Sequence, residues 1–346
     1  MCLHDDQLNQ VNPMDSFGGH HSFFKLCRLM PDPTETSRRT MKVDCIQDSR
    51  SLKMSSNSRI SSSTCSKKHL ASGTFEGGLL IHNIENPDEH ILIAERLLTK
   101  SSDGITNCLA FNGDSSHLFI ASNDLTTRVM DLEKTKVVFK ANTPFAVNAL
   151  SVNPKNSNVA VIVGDNVDAF IVDYRFQPRN SLDSSLVLSG HKDYSFCCDW
   201  SQADDNLLIS GNQDGTMRLW DNRKTGDSVY CWNSALGSPI YDINSSALGG
   251  PVRNCKFSQS GSYVVWAETL DHVGVVPVEE LRSGLVTKHL NVQSIDFIGK
   301  CIGLNTCAMD GHDEKLVIGV NDHPLGGILT YNLETPQKLP QFDFAF

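Results

Sequence analysis

Long apolar runs are missing from this chain, and no stretch approaches the ~20 residues that span a bilayer. Cysteine pairs at CxxC spacing are missing too. The 11 cysteines are odd in number and scattered, which excludes a disulfide framework or a clustered zinc site and predicts free thiols. Glycine (24) and proline (13) are too few for collagen-like or low-complexity architecture. Positive charge is in deficit, with 30 basic against 40 acidic residues and a net charge of −10. That balance opposes a phosphate backbone or an anionic bilayer unless a local basic patch overrides it. Catalytic signatures are absent as well: no GxSxG, HExxH, GxxxxGK[ST] or GxGxxG occurs. The Asp-His neighbours (Asp271-His272, Asp322-His323 and Asp310/His312/Asp313) fall in predicted turns, where they serve as polar turn residues. No catalytic, metal or cofactor site is assigned. The N-terminus MCLHDDQLNQ is charged where a secretory signal would be basic and then apolar. The expected location is the cytoplasm, the nucleus or both.

What is present divides into two parts. Residues 1–65 are expected to be a largely disordered extension that contributes at most a strand near 21–30 or 40–46. Nine of the 18 residues from Ser49 to Ser66 are serine, and Ser49 to Phe75 carries five basic residues and no acidic one. That leaves −15 on the remainder, and it predicts a solvated segment. In Arg38-Arg39-Thr40 and Arg59-Ile60-Ser61, hydroxyls lie beside basic residues, a pattern that basophilic kinases prefer.

From residue 66 to residue 346 the pattern is short apolar runs between Gly, Asn and Asp turns. HLASGTF, HLFIAS, NVAVIVG, NLLISG, SYVVWAE and KLVIGVN each have strand length, and each is followed by a second run. Asn83, Asp131, Asp173, Asp221, Pro277 and Asn332 mark equivalent points, at intervals of 48, 42, 48, 56 and 55 residues. Such a period suits the four-stranded blades of a β-propeller, in which each thin sheet covers its neighbour. The expected fold is all-β: a single propeller of four-stranded antiparallel blades. Seven blades are expected, with strands from His21 to Cys45 joining the C-terminal unit to close the ring.

One unit, Ser189 to Arg223, carries Gly190-His191 ahead and Trp220-Asp221 at its end, with SG and DG turns between. It resembles a WD repeat. The resemblance runs from about His69 to Glu334 and weakens where Met130, Val172 and Pro277 replace the tryptophan or aspartate. It implies a structural hydrogen-bonded tetrad of His191, Ser210, Asp214 and Trp220. It also implies a non-catalytic scaffold or adaptor that binds other proteins. The implied partner face holds Asp193, Tyr194 and Gln213, with Asn123 and Arg253 by looser correspondence. Asp173-Tyr174-Arg175 and Asp221-Asn222-Arg223 end consecutive units. This Asp-x-Arg spacing resembles the box of cullin-RING ubiquitin-ligase substrate receptors, and it implies that Asp173, Arg175, Asp221 and Arg223 meet a ligase adaptor. The chain also resembles a poorly characterised fungal and plant branch of WD-repeat proteins with long N-terminal extensions, through LVIGVNDHPLGGILTYNLE (Leu316–Glu334). A fungal relative of that type resembles a ubiquitin-ligase substrate receptor.

Three competing readings are disfavoured. A phosphoinositide-binding propeller resembles its relatives in a Phe-Arg-Arg-Gly motif that is absent here. An enzymatic propeller requires converging acids or histidines along the central channel. Nucleic-acid binding requires a basic stripe with interleaved aromatics.

Overall fold

A strand that is apolar on both faces needs cover on both sides, and the second strand of each repeat is such a strand. In His117–Ser122, Leu118 and Ile120 pack toward the preceding sheet, while Phe119 and Ala121 pack toward the following one. Leu208 and the pair Leu207/Ile209 divide in the same way in Leu207–Asn212. The period-two alternation therefore feeds two cores from one strand.

The computed structural model describes residues 2–5, 23–31, 41–48, 59–84, 91–175, 182, 185–224, 226–234, 250–268, 271–282, 290–308, 314–321 and 327–333. Blade 1 comprises Ile60–Cys65, His69–Thr74, Gly78–Asn83 and Ile91–Leu97. Blade 2 comprises Thr106–Phe111, His117–Ser122, Thr126–Asp131 and Lys136–Asn142. Blade 3 comprises Val147–Val152, Val159–Gly164, Ala169–Asp173 and Leu186–Leu188. Blade 4 comprises Ser195–Trp200, Leu207–Asn212, Thr216–Asp221 and Tyr230–Asn233. Blade 5 comprises Val252–Phe257, Tyr263–Glu268, His272–Pro277 and Gln293–Asp296, with a short helix, Val278–Arg282, after its third strand. The sixth sheet has three described strands: Lys300–Ala308, Glu314–Asn321 and Gly327–Leu333.

All pairings within these sheets are antiparallel and sequential. The first strands of successive sheets pack side by side around the axis. Five apolar clusters fill the five junctions between six blades, and none lies inside a single blade. Stability is therefore a property of neighbouring pairs, as in other repeat architectures.

Three expectations are corrected. Between Ile60 and Leu333 the chain forms six blades, not seven. The strands near 21–30 and 40–46 exist as Phe23–Pro31 and Met41–Asp48, but they do not join the C-terminal unit. They pair with each other and with Cys2–Asp5 in a separate three-stranded sheet whose first strand packs beside Ile60–Cys65. The propeller also begins before residue 66: Ile60–Cys65, read as part of a solvated serine-rich segment, is the innermost strand of blade 1. In this strand only Ile60 is buried, Ser61, Ser62 and Thr64 are half-buried and Ser63 is exposed, so polar side chains are tolerated there. The rest of the serine-rich segment, Ser49 to Ser58, lies outside the described residues, as does Thr40.

Candidate protein-interaction site

In every blade the start of the inner strand pairs with the end of the second strand, as in Ser195 with Asn212 and Thr106 with Ser122. That register puts the segment entering each inner strand and the turn after each second strand on one face of the ring. A backbone bond repeats there. The first turn residue donates its N–H to the residue just before the inner strand: Phe75 to Arg59, Asn123 to Ile105, Asp165 to Ala146 and Gln213 to Tyr194, at 2.8–2.9 Å. The candidate partner residues Asp193, Tyr194, Gln213 and Asn123 all stand on this face.

Tyr194 is 49% exposed, and its N–H is held by Asp193 Oδ1 at 2.8 Å. Phe75, Leu125 and Val167 are exposed in the corresponding turns of blades 1, 2 and 3. Leu125 holds φ at 60° where blades 1 and 4 place Gly77 and Gly215 with φ of 78° and 76°. A branched residue in the left-handed region is strained. No signal in the sequence marked Phe75, Leu125 or Val167. The DG turn of blade 4, aligned on Asp124-Leu125, was the available pointer.

The inner strands share a second device. Each of the six carries a β-bulge near its start, at Ser61, Asn107, Asn148, Phe196, Arg253 and Ile302. A bulge leaves one residue out of the ladder and re-aims its side chain. Three of these side chains donate to the first residue of the next inner strand. Ser61 Oγ bonds Thr106 O at 2.7 Å, Asn107 Nδ2 bonds Val147 O at 3.0 Å and Asn148 Nδ2 bonds Ser195 O at 3.2 Å. Ser61, read as a candidate phosphorylation site, spends its hydroxyl here. Asn107 Nδ2 also lies 3.3 Å from Asn123 Oδ1. The fifth candidate partner residue, Arg253, is the bulged residue of blade 5, and its guanidinium lies 3.8 Å from the centre of the Phe196 ring.

The four residues implied as a tetrad are brought together inside blade 4. Trp220 Nε1–H donates to Ser210 Oγ at 2.8 Å, and Ser210 Oγ lies 2.7 Å from His191 Nε2. His191 Nδ1 faces Thr216 Oγ1 at 3.1 Å and Asp214 Oδ2 at 3.5 Å, while Thr216 Oγ1 donates to Asp214 Oδ1 at 2.6 Å. Counting protons assigns the tautomer. Ser210 accepts from the indole, so its single proton goes to Nε2, and the imidazole proton sits on Nδ1. Burial lowers the His191 pKa against the opposing pull of Asp214, which agrees with a neutral ring. Burial acts to raise Asp214, but hydrogen bonds from His191, Thr216 and the Lys192 N–H outweigh it and hold the carboxyl at about 2. Every donor is spent internally, so the group is structural.

On the opposite face the Asp-x-Arg units fold back on themselves. Arg175 reaches Asp173 through Nε (3.0 Å to Oδ1) and Nη2 (2.5 Å to Oδ2). Arg223 reaches Asp221 through Nε (2.8 Å to Oδ1) and Nη2 (2.6 Å to Oδ2). Both arginines stay more than half exposed, at 55% and 60%. Hydrogen bonding from the arginine lowers the pKa of each aspartate. Each fork is thereby tied to its own carboxylate.

His272 corrects the expectation of a turn residue. It begins a strand, is buried, and places Nδ1 2.8 Å from Asp296 Oδ1 and Nε2 3.8 Å from Glu268 Oε1. Asp310, His312, Asp313, Asp322 and His323 lie outside the described residues. On the described inner strands of the six blades the one carboxylate is Asp199. It is bonded to Lys256 Nζ at 2.8 Å and to the Phe257 N–H at 2.9 Å. Among the described residues no three His, Cys, Asp or Glu cluster as a metal site requires, and no helix there is long and apolar enough to cross a membrane. Cys108, Cys198 and Cys255 are pushed up by burial, which disfavours their thiolates.

Comparison with known proteins agrees with this geometry. A family model described as WD domain, G-beta repeat matches residues 182–221, the blade that holds the complete tetrad. The THO complex subunit 6 homolog of Danio rerio is 38% identical over 85 residues, 25% of this chain and 24% of that protein. Histone acetyltransferase type B subunit 2 of Candida glabrata is 24% identical over 162 residues (46% and 37%). COMPASS component SWD3 of Saccharomyces cerevisiae is 26% identical over 171 residues (47% and 50%). The matches thus span a quarter to a half of these relatives' lengths.

Proposed function

Because this chain belongs to the WD-repeat family of β-propellers, we propose that it is a non-catalytic protein-interaction scaffold, one subunit of a larger assembly. The observation that carries this reading is the face of the second-strand turns. Four successive blades each present one exposed large apolar side chain there: Phe75, Leu125, Val167 and Tyr194. Exposed apolar groups recurring on one side of a rigid ring are the mark of a protein-binding surface, and rigid aromatics such as Phe75 and Tyr194 suit its centre. The three relatives are named as a subunit or component of complexes, which supports the same role, and a histone acetyltransferase subunit among them favours the nucleus.

Affinity purification with mass spectrometry from native cells tests the reading. The intact chain is expected to bring down a defined set of proteins. A variant with Phe75→Ser, Leu125→Gly, Val167→Ser and Tyr194→Ser is expected to lose them while retaining its β-sheet circular dichroism. A chain that purifies alone overturns the scaffold, and an unchanged set moves the interface off this face.

A narrower version, recruitment of substrates to a ubiquitin ligase, is supported by the exposed, aspartate-paired guanidinium groups of Arg175 and Arg223 on the opposite face. An exposed guanidinium is a planar fork of a kind that pairs with carboxylates of another protein. Arg175→Glu with Arg223→Glu is expected to abolish co-purification of a ligase adaptor. An adaptor retained by that variant, or absent from the parent's partners, overturns this version.

A further inference from the structure

The six bulged residues surround the axis on the face just described, and they divide it in two. Ser61, Asn107 and Asn148 close their half: each is bonded to the carbonyl that opens the next inner strand. The relay stops at Phe196, whose ring has no donor. In the other half the bulged positions hold Phe196, Arg253 and Ile302. Arg253 is exposed, Ile302 is 54% exposed, and Tyr194 stands two residues ahead of Phe196.

Arg253 makes no ion pair among the described residues. The nearby carboxylates are occupied. Asp193 holds the Tyr194 N–H, Asp214 is enclosed by His191, Thr216 and the Lys192 N–H, and buried Glu268 faces Trp266 and His272. Lys192 adds a second exposed cation on the loop before Tyr194. An unpaired guanidinium flanked by exposed apolar groups, on a chain of net charge −10, is a local reversal of sign. The Phe196 ring, 3.8 Å from the Arg253 guanidinium, restrains it, so less freedom is lost when a carboxylate docks.

We infer that this half of the rim binds an acidic, apolar-flanked segment of a partner protein, with one carboxylate seated on Arg253 and apolar side chains against Tyr194, Phe196 and Ile302. This rests on the scaffold reading and adds the partner's chemistry. The probe is a fluorescent dodecapeptide of alternating Glu and Leu, followed by anisotropy against the full chain, with Gln-Leu and Lys-Leu versions beside it.

The parent is expected to bind the Glu peptide at least tenfold more tightly than the Gln peptide, with an affinity that falls as salt rises. Arg253→Glu is expected to lose that preference and to favour the Lys peptide, a charge swap that misfolding does not produce. Arg253→Lys and Phe196→Leu are expected to retain a weakened preference, and Lys140→Glu on the outer strand of blade 2 to leave it unchanged. Equal affinity for the Glu and Gln peptides, or an Arg253→Glu variant that binds the Glu peptide as the parent does, overturns the inference. Native-cell purification separates the two readings. A full partner set with Arg253→Glu removes the acidic-segment inference and leaves the scaffold standing, whereas a parent that purifies alone removes the scaffold itself.

Discussion

Blades 4 and 2 bury an aspartate at the same place, two residues after the second strand, and satisfy it by different chemistry. In blade 4, Asp214 faces a neutral imidazole and a threonine, and the network continues through Ser210 to Trp220. In blade 2, Trp220 is replaced by Met130, and Arg128, at the place where blade 4 has Arg218 bonded to Ser228, pairs with the aspartate. Its Nη2 lies 2.5 Å from Asp124 Oδ2, with both side chains buried. Thr126 Oγ1 donates to Asp124 Oδ1 at 2.6 Å, as Thr216 does to Asp214. Burial works to raise both carboxyls, and in both the partners win and hold them at about 2. The same carboxylate is therefore served by a neutral relay in one blade and by a formal ion pair in the other. A repeat that has lost its signature residues has not lost its polar anchor.

The largest expected effect follows from that difference. Asp124→Ala strands a buried guanidinium and is expected to cost about 3–5 kcal/mol in urea unfolding. Replacing both members, Asp124→Leu with Arg128→Met, is expected to recover most of it. Asp214→Ala leaves a neutral ring short of one acceptor and is expected to cost less, about 1–3 kcal/mol. A reversed order would show that Arg128 finds another partner.

Acid sharpens the contrast. Both aspartates have folded pKa values of about 2, below the ordinary 3.8. Each contribution of about 2 kcal/mol is present above pH ~4 and is lost as pH falls toward 2. The His191 pKa is also lowered by burial, so its contribution is present above the ordinary histidine value and is lost as pH falls below it. Hydrogen exchange is expected to show blade 4 weakening as pH falls below about 6.5, before the aspartates titrate, while blade 2 holds. Parallel loss in both blades would remove the neutral-relay assignment. The smallest expected change is Leu125→Gly, which relieves the left-handed strain and is expected to raise stability by about 1 kcal/mol. The same substitution is expected to weaken partner capture.

The strands were legible because runs such as HLFIAS and NLLISG are apolar on both faces, a pattern that two-sided cover demands. Blade 4 was legible because its glycine-histidine and tryptophan-aspartate pairs lie at the right distances. Arg128 was not legible, since an arginine in mid-strand reads as a solvated face until the pairing shows Asp124 beside it. Ile60–Cys65 is not legible because this strand is buried only at Ile60, and serine at its half-exposed positions resembles a linker. Arg253 was reached by correspondence, but Phe196 was not, because a bulge shifts register and only strand pairing reveals it. The two strands expected near residues 21–46 are present, yet they pair with Cys2–Asp5 and not with the C-terminal unit, and that choice of partner leaves no trace in local composition.

The recurring bulge has a consequence for how such a ring can change over time. A residue excluded from the ladder can be exchanged without disturbing either the pairing or the cores between blades. Serine, asparagine, phenylalanine, arginine and isoleucine already occupy the six places on one unchanged frame. Descendants of this chain can thus acquire new binding preferences one substitution at a time at Phe196, Arg253 and Ile302, whereas at Ser61, Asn107 and Asn148 an exchange also removes a bond to the next inner strand.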